Sequence, residues 1–144
     1  MKQVLGFSKA AALALHVMVL LAEEPLRRRS ISDLANTLSA SSVHLAKILQ
    51  RLSKSGLVNS ISGPSGGFLL SHSPVDVSLA IVYESIDGPL SCSRCLFDKP
   101  VCNSKKCILG DLIPTVSHII EDYLKTNTLH DITTKRLEIP QSIT

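Results

Sequence analysis

The chain has 144 residues, of which 44% are hydrophobic and 3% aromatic, with no Trp, four Cys and a formal net charge of +3. That length suits one compact domain with an added arm, and the apolar content excludes wholesale disorder while requiring an aliphatic core. No uncharged apolar run of the roughly 18 residues needed for a membrane span is present.

The charge is unevenly placed. Residues 26–72 hold Arg27, Arg28, Arg29, Lys47, Arg51 and Lys54 against Asp33 alone, whereas residues 73–144 hold seven basic and nine acidic side chains. One half of the molecule is therefore suited to a polyanion. Near the N-terminus, Ala10 to Ala22 is apolar apart from His16 and follows Lys2 and Lys9, a pattern shared by secretion signals and buried helices. His16 interrupts the run, which favours a buried first helix in a cytoplasmic protein. In that compartment cysteines serve as ligands or redox groups rather than as disulfides.

Ser8 is placed to cap a helix running to about Glu24, where Pro25 ends it. Ser30-Ile31-Ser32-Asp33 reads as a capping box opening a short helix through Leu38. The Ser39–Ser42 stretch breaks the chain and restarts it, and Leu45, Ile48, Leu49 and Leu52 give a third helix its core face before Gly56. Leu57–Ser62 and Phe68–Ser71 are short strands around the turn residues Gly63-Pro64-Ser65-Gly66-Gly67. Ser78 starts a fourth helix that ends at Gly88. Residues 89–106 have no periodicity. A long apolar stripe then runs through Ile108, Leu109, Leu112, Ile113, Val116, Ile119, Ile120, Tyr123 and Leu124. Pro114 is tolerable there only in a first turn, with Asp111 as the cap. Thr128 and Asp131 cap a last short turn.

Two short helices joined by a tight turn and followed by a hairpin predict a mainly α winged helix-turn-helix. The third helix is its recognition helix. Ser41, Ser42 and His44 at its start are expected at base edges of double-stranded DNA, with Lys47 and Arg51 further along. Lys9 and Ser30, at the starts of the first two helices, join the candidate DNA contacts, as do Gly63, Ser65, Gly66 and Gly67 of the wing. The wing glycines would let backbone approach DNA closely. No Ser-His-Asp set, phosphate-binding loop or paired carboxylates support an enzyme.

These stretches resemble the Rrf family of bacterial winged-helix transcription regulators (IscR/NsrR/CymR type). The matching segments are Ser8-Lys9, Ile31 to Ala35, Ser41 to Leu57, Val77-Ser78-Leu79 to Asp87-Gly88 and Thr128 to Ile132. Gly63-Pro64-Ser65-Gly66-Gly67-Phe68-Leu69-Leu70 is the most specific. The resemblance implies a homodimer built on the long C-terminal helix and bound to a two-fold operator. It divides the chain into a DNA-binding domain (1–88), a cysteine segment (89–107), a dimerisation helix (108–133) and a tail (134–144). The chain departs from the family where an acidic residue is replaced by Ala46 and a wing arginine by Ser62, so the operator need not be shared.

Cys92, Cys95, Cys102 and Cys107 form a C-x₂-C-x₆-C-x₄-C set that includes every cysteine of the chain. Thiolates are soft ligands for an iron–sulfur cluster or zinc, and Arg94, Lys99, Lys105 and Lys106 favour the thiolate form. The spacing leaves a [2Fe–2S] or [4Fe–4S] cluster, a zinc site and a thiol redox switch all open, and a cluster would also suit an iron–sulfur carrier or electron-transfer module that strongly salt-dependent duplex binding would argue against. The resemblance places the cluster first, because cluster-binding members carry three cysteines where Cys95, Cys102 and Cys107 stand. Some members use a His as the fourth ligand; Gly110 stands there, and Cys92 is its natural replacement. A cluster would order the segment and set the angle between dimer helix and DNA-binding unit, so that redox state, nitric oxide or iron supply changes DNA affinity.

Overall fold

A computed structural model describes residues 6–91, 94–97, 99–102 and 107–134. Cys92 and the tail from residue 135 therefore lie outside the described residues. The chain forms six α-helices, a 3-10 turn (Pro74–Asp76) and one hairpin among them: α1 (Lys9–Glu23), α2 (Ile31–Leu38), α3 (Ser42–Lys54), β1 (Val58–Ile61), β2 (Gly67–Leu70), α4 (Leu79–Asp87), α5 (Leu112–Thr126) and α6 (Leu129–Thr134).

The helix starts follow from local hydroxyl chemistry. Ser8, Ser30, Ser41 and Ser78 each accept a hydrogen bond from the backbone N–H three residues on, the N-cap arrangement that satisfies an orphan donor. Thr128 and Asp131 exchange the same kind of bonds at the start of α6. Ser39 closes α2 in the left-handed conformation, its N–H reaching back to the carbonyls of Ala35 and Asn36. Only residues 39–41 then separate α2 from α3, the tight turn of a helix-turn-helix.

The core is aliphatic. Ala11, Ala14, Val17, Met18 and Leu21 of α1 are buried against Leu34 of α2, Leu45, Ile48, Leu49 and Leu52 of α3, Val82 and Ile86 of α4, and Leu129 of α6. His16 lies on the solvent side of α1 and bonds the Ala12 carbonyl at 2.7 Å. None of the described helices is long and apolar enough to cross a membrane.

β1 and β2 pair antiparallel, Val58 opposite Leu70 and Ile61 opposite Gly67; β1 is one residue shorter at each end than the sequence suggests, and β2 has the expected length shifted one residue toward the turn. Arg29 adds a third, one-residue rung: its N–H donates to the Phe68 carbonyl (3.2 Å) and its carbonyl accepts from the Phe68 N–H (2.9 Å). The link between α1 and α2 thus backs the wing. The Arg29 side chain is buried, donating from Nε to Asp33 (2.6 Å) and from its other end to Thr37 Oγ1 (3.2 Å). This arginine belongs to the fold rather than to the basic surface.

The hydrogen bond from Arg29 holds the Asp33 carboxyl below the usual carboxylate range. A depressed folded-state pKa stabilises the protein above the unfolded value of about 3.9, and the contribution is lost as pH falls through the folded value. Asp33→Asn is therefore expected to lower the melting temperature at neutral pH and to flatten its fall below about pH 4. Thermal melts between those conditions check this, and an unchanged acid limb would contradict it.

The apolar stripe after residue 107 is not one continuous helix. Turns occupy 108–111, α5 starts at Leu112 with Pro114 in its first turn, and the chain breaks at Asn127 before α6. Asp111 stands at the N-cap position but bonds Thr115 through its backbone carbonyl, not its carboxylate. The break is held by a strand-like exchange in which Leu79 N–H donates to Asn127 and Leu129 N–H to Val77, both 2.9 Å. α6 thereby turns back onto α1 and buries Leu129.

Candidate nucleic-acid interface and cysteine segment

The exposed side of α3 follows from its periodicity. Leu45, Ile48, Leu49 and Leu52 face the core, so Val43, Lys47, Gln50 and Lys54 form the outward row, with Ser42 beside it. Neither Lys47 nor Lys54 makes an ion pair among the described residues, and α3 carries no acid. Ser41 is exposed, with its hydroxyl engaged as the helix cap (3.4 Å to the His44 N–H). Ser30 plays the same part for α2.

Two residues expected on this face are directed elsewhere. His44 is half-buried, and its Nε2 is shielded from solvent without a hydrogen-bond partner, because position 44 lies one turn before Ile48 on the core-facing flank. Its ring nitrogen Nε2 is therefore turned toward the protein rather than along the outward row of α3. Arg51 donates to the carbonyl of Ile86 in the last turn of α4, where a cation suits the negative end of the helix. Lys9 is exposed at the start of α1, whose cap Ser8 is held by Asp87 through its N–H (3.0 Å) and hydroxyl (2.6 Å). Lys9 and Arg51 thus sit around the end of α4, away from the start of α3.

The wing glycines answer mainly to the wing itself. A Cβ on Gly66 would lie 2.1 Å from the Ile61 carbonyl oxygen, and one on Gly67 would lie 2.9 Å from that of Arg29. Gly63 faces open space at φ +101°, which favours glycine for its conformation. Ser65 is exposed at the tip, and its carbonyl accepts from Arg28 at 3.2 Å. Arg28, Val43 and Gln50 were not among the sequence candidates. The i, i+4, i+7 spacing of Val43 and Gln50 about Lys47 is the signal for those two, whereas nothing local marks Arg28 as a neighbour of the wing tip.

The cysteine segment leaves α4 at Gly88 and reaches α5 through Gly110 and Asp111. Cys95 is half-buried and Cys102 and Cys107 are exposed. Among the described residues they are not gathered into a metal-binding group. The chemistry of the donor set nevertheless suits an iron–sulfur cluster: soft thiols on irregular chain, with Arg94 and Lys99 exposed beside them. A recess lined by Arg94, Gly110, Asp111, Pro114 and His118 adjoins this segment.

The model of a family described as "Iron-dependent Transcriptional regulator" (Rrf2) matches residues 7–135. The chain belongs to the Rrf2 family. The transcriptional regulator IscR of Pectobacterium carotovorum is 28% identical over 102 residues, 71% of this chain and 62% of that protein. The chain thus matches less than two thirds of that relative's length. The structure of CymR, the global cysteine regulator of B. subtilis, superposes with a TM-score of 0.75 at 25% identity, covering 90% of this chain and 96% of that one. T. potens IscR shares the fold, with a TM-score of 0.68 at 22% identity over 89% of this chain and 85% of its own. The winged-helix reading therefore holds, and the Rrf2 family is one of transcriptional regulators rather than enzymes.

Proposed function

We propose that the chain is a homodimeric, cytoplasmic regulator that binds operator DNA through α3 and the wing, with an affinity set by its cysteine segment. The observation that carries the DNA reading is the acid-free outward row of α3, with Lys47 and Lys54 unpaired, in a member of a family of transcriptional regulators. Ser41 and Ser42 stand at the end of α3 that enters the major groove in this motif, and Gly63 and Ser65 form the wing tip. Lys47→Ala is expected to weaken binding evenly across duplex sequences and to reduce the slope of log affinity against log salt by about 1. A salt titration of duplex binding checks this; an unchanged slope would contradict a phosphate contact.

Dimerisation is supported by α5, which leaves Leu112, Ile119 and Tyr123 at 55%, 63% and 46% exposure along one side. A second copy would cover this row and set two α3 helices against two half-sites.

Cys92, Cys95, Cys102 and Cys107 would hold the iron–sulfur cluster, which when bound supplies a redox-sensitive group anchored by thiolates. The chain's own connections carry a change of order in this segment toward DNA. Gly88 follows directly on the α4 turn whose Ile86 carbonyl holds Arg51 of α3 and whose Asp87 carboxylate holds Ser8 of α1. Asp111 passes the other end of the segment into α5. Moving the end of α4 therefore shifts α3, and moving the start of α5 shifts the dimer.

A second reading keeps the fold and makes the exposed thiols of Cys102 and Cys107 a redox switch, or the set a zinc clasp. The ungathered arrangement of these thiols among the described residues favours the redox switch, while the clasp rests on the four-cysteine set alone. Iron, sulfide and zinc analysis of protein purified without oxygen separates the readings. Matching iron and sulfide support the cluster, about one zinc per chain supports a clasp, and metal-free protein that resists reconstitution supports the thiol switch.

A further inference from the structure

Val43 is the one large apolar side chain on the outward row of α3, and it is 70% exposed. It occupies the first turn of that helix, one turn ahead of Lys47, with half-buried Ala46 beside it. A lone exposed apolar residue is ordinary on a protein surface. This one, however, stands among the groups proposed to meet DNA, at the end of the helix that reaches base edges in a helix-turn-helix. Its polar neighbours leave it little competition: His44 turns its Nε2 inward, and the Ser41 hydroxyl is spent on the helix cap. In the major groove only thymine presents an apolar group, its C5-methyl.

We propose that Val43 reads a thymine methyl in each operator half-site, making it a specificity-determining residue. The inference rests on the DNA-binding reading above. With alanine at position 46, neighbouring Val43 on the helix, the contact surface is apolar and accepts no hydrogen bond from a base. The first turn of α3 therefore selects by fit to a methyl group, with Ser42 and Gln50 left to supply hydrogen bonds.

The experiment selects duplexes from a random pool with the full-length protein, prepared both with and without bound iron. Each thymine of the selected site is then replaced singly by deoxyuridine, which removes only the methyl. Burying one methyl-sized group predicts about a fourfold loss of affinity at one position per half-site. Val43→Ser, at an exposed site, is expected to melt at the wild-type temperature and to bind the thymine and uracil duplexes equally. Wild-type protein indifferent to every replacement would overturn the proposal, as would a methyl effect of undiminished size in Val43→Ser. If folded protein selects no duplex in either preparation, the DNA-binding reading itself falls, and Val43 with it.

Discussion

Gly66→Ala is expected to lower stability by about 2–3 kcal/mol, to lower the melting temperature by roughly 5–10 °C and to weaken duplex binding beyond that loss. A Cβ at this position would stand 2.1 Å from the Ile61 carbonyl oxygen and 2.8 Å from that of Gly63, both backbone atoms that no rotamer change can move aside. Gly66 also closes the turn by donating its N–H to the Gly63 carbonyl at 2.9 Å. The hairpin can admit the methyl only by opening that turn, which loosens β1 against β2 and the Arg29 rung behind them. Gly63→Ala provides the comparison: it meets nothing in space and bears only the strain of its positive φ, about 1–2 kcal/mol. Thermal unfolding of the two variants checks the difference. A Gly66→Ala protein melting with the wild type would contradict this account of the wing.

Cys102→Ala is expected to abolish the dependence of operator affinity on the state of the cysteine segment. Couplings between an effector site and a binding site commonly amount to about 5–150-fold. The wild-type protein should therefore show a difference within that range between its two states, and the variant should show a single affinity. Cys102 is exposed, so the substitution removes no core contact, and the variant should melt like the apo wild type. Duplex binding measured before and after oxidation or metal removal makes the test. Full signal dependence in Cys102→Ala would exclude this cysteine from the switch.

What could be read in the chain beforehand was what local chemistry controls. The caps Ser8, Ser30, Ser41, Ser78 and Thr128 mark helix starts within three residues of themselves, and the leucine spacing of α3 defines its core face. What escaped depends on partners distant in sequence. Arg51 meets Ile86 on α4, 35 positions away, and Arg28 meets Ser65, 37 away. Arg29 counts as surface charge in the sequence, yet its backbone exchange with distant Phe68 draws it into the fold, where Asp33 and Thr37 hold its side chain. The wing glycines were legible as a turn, while the pressure on Gly67 from the Arg29 backbone needed the tertiary fold. The cysteines stand out in the sequence by residue type and spacing, the signal for ligand chemistry, but an aperiodic segment encodes no local geometry that would gather them.

In the proposed function the cysteine segment sets DNA affinity. The decisive quantity is the affinity of wild-type protein, purified without oxygen, for one selected duplex before and after its iron is removed by chelation. Iron and sulfide are counted in the same samples. The expected result is matching iron and sulfide at the start and an affinity that changes by about tenfold or more when both are lost. Equal affinity in the two samples, with the iron shown to have gone, would contradict the claim.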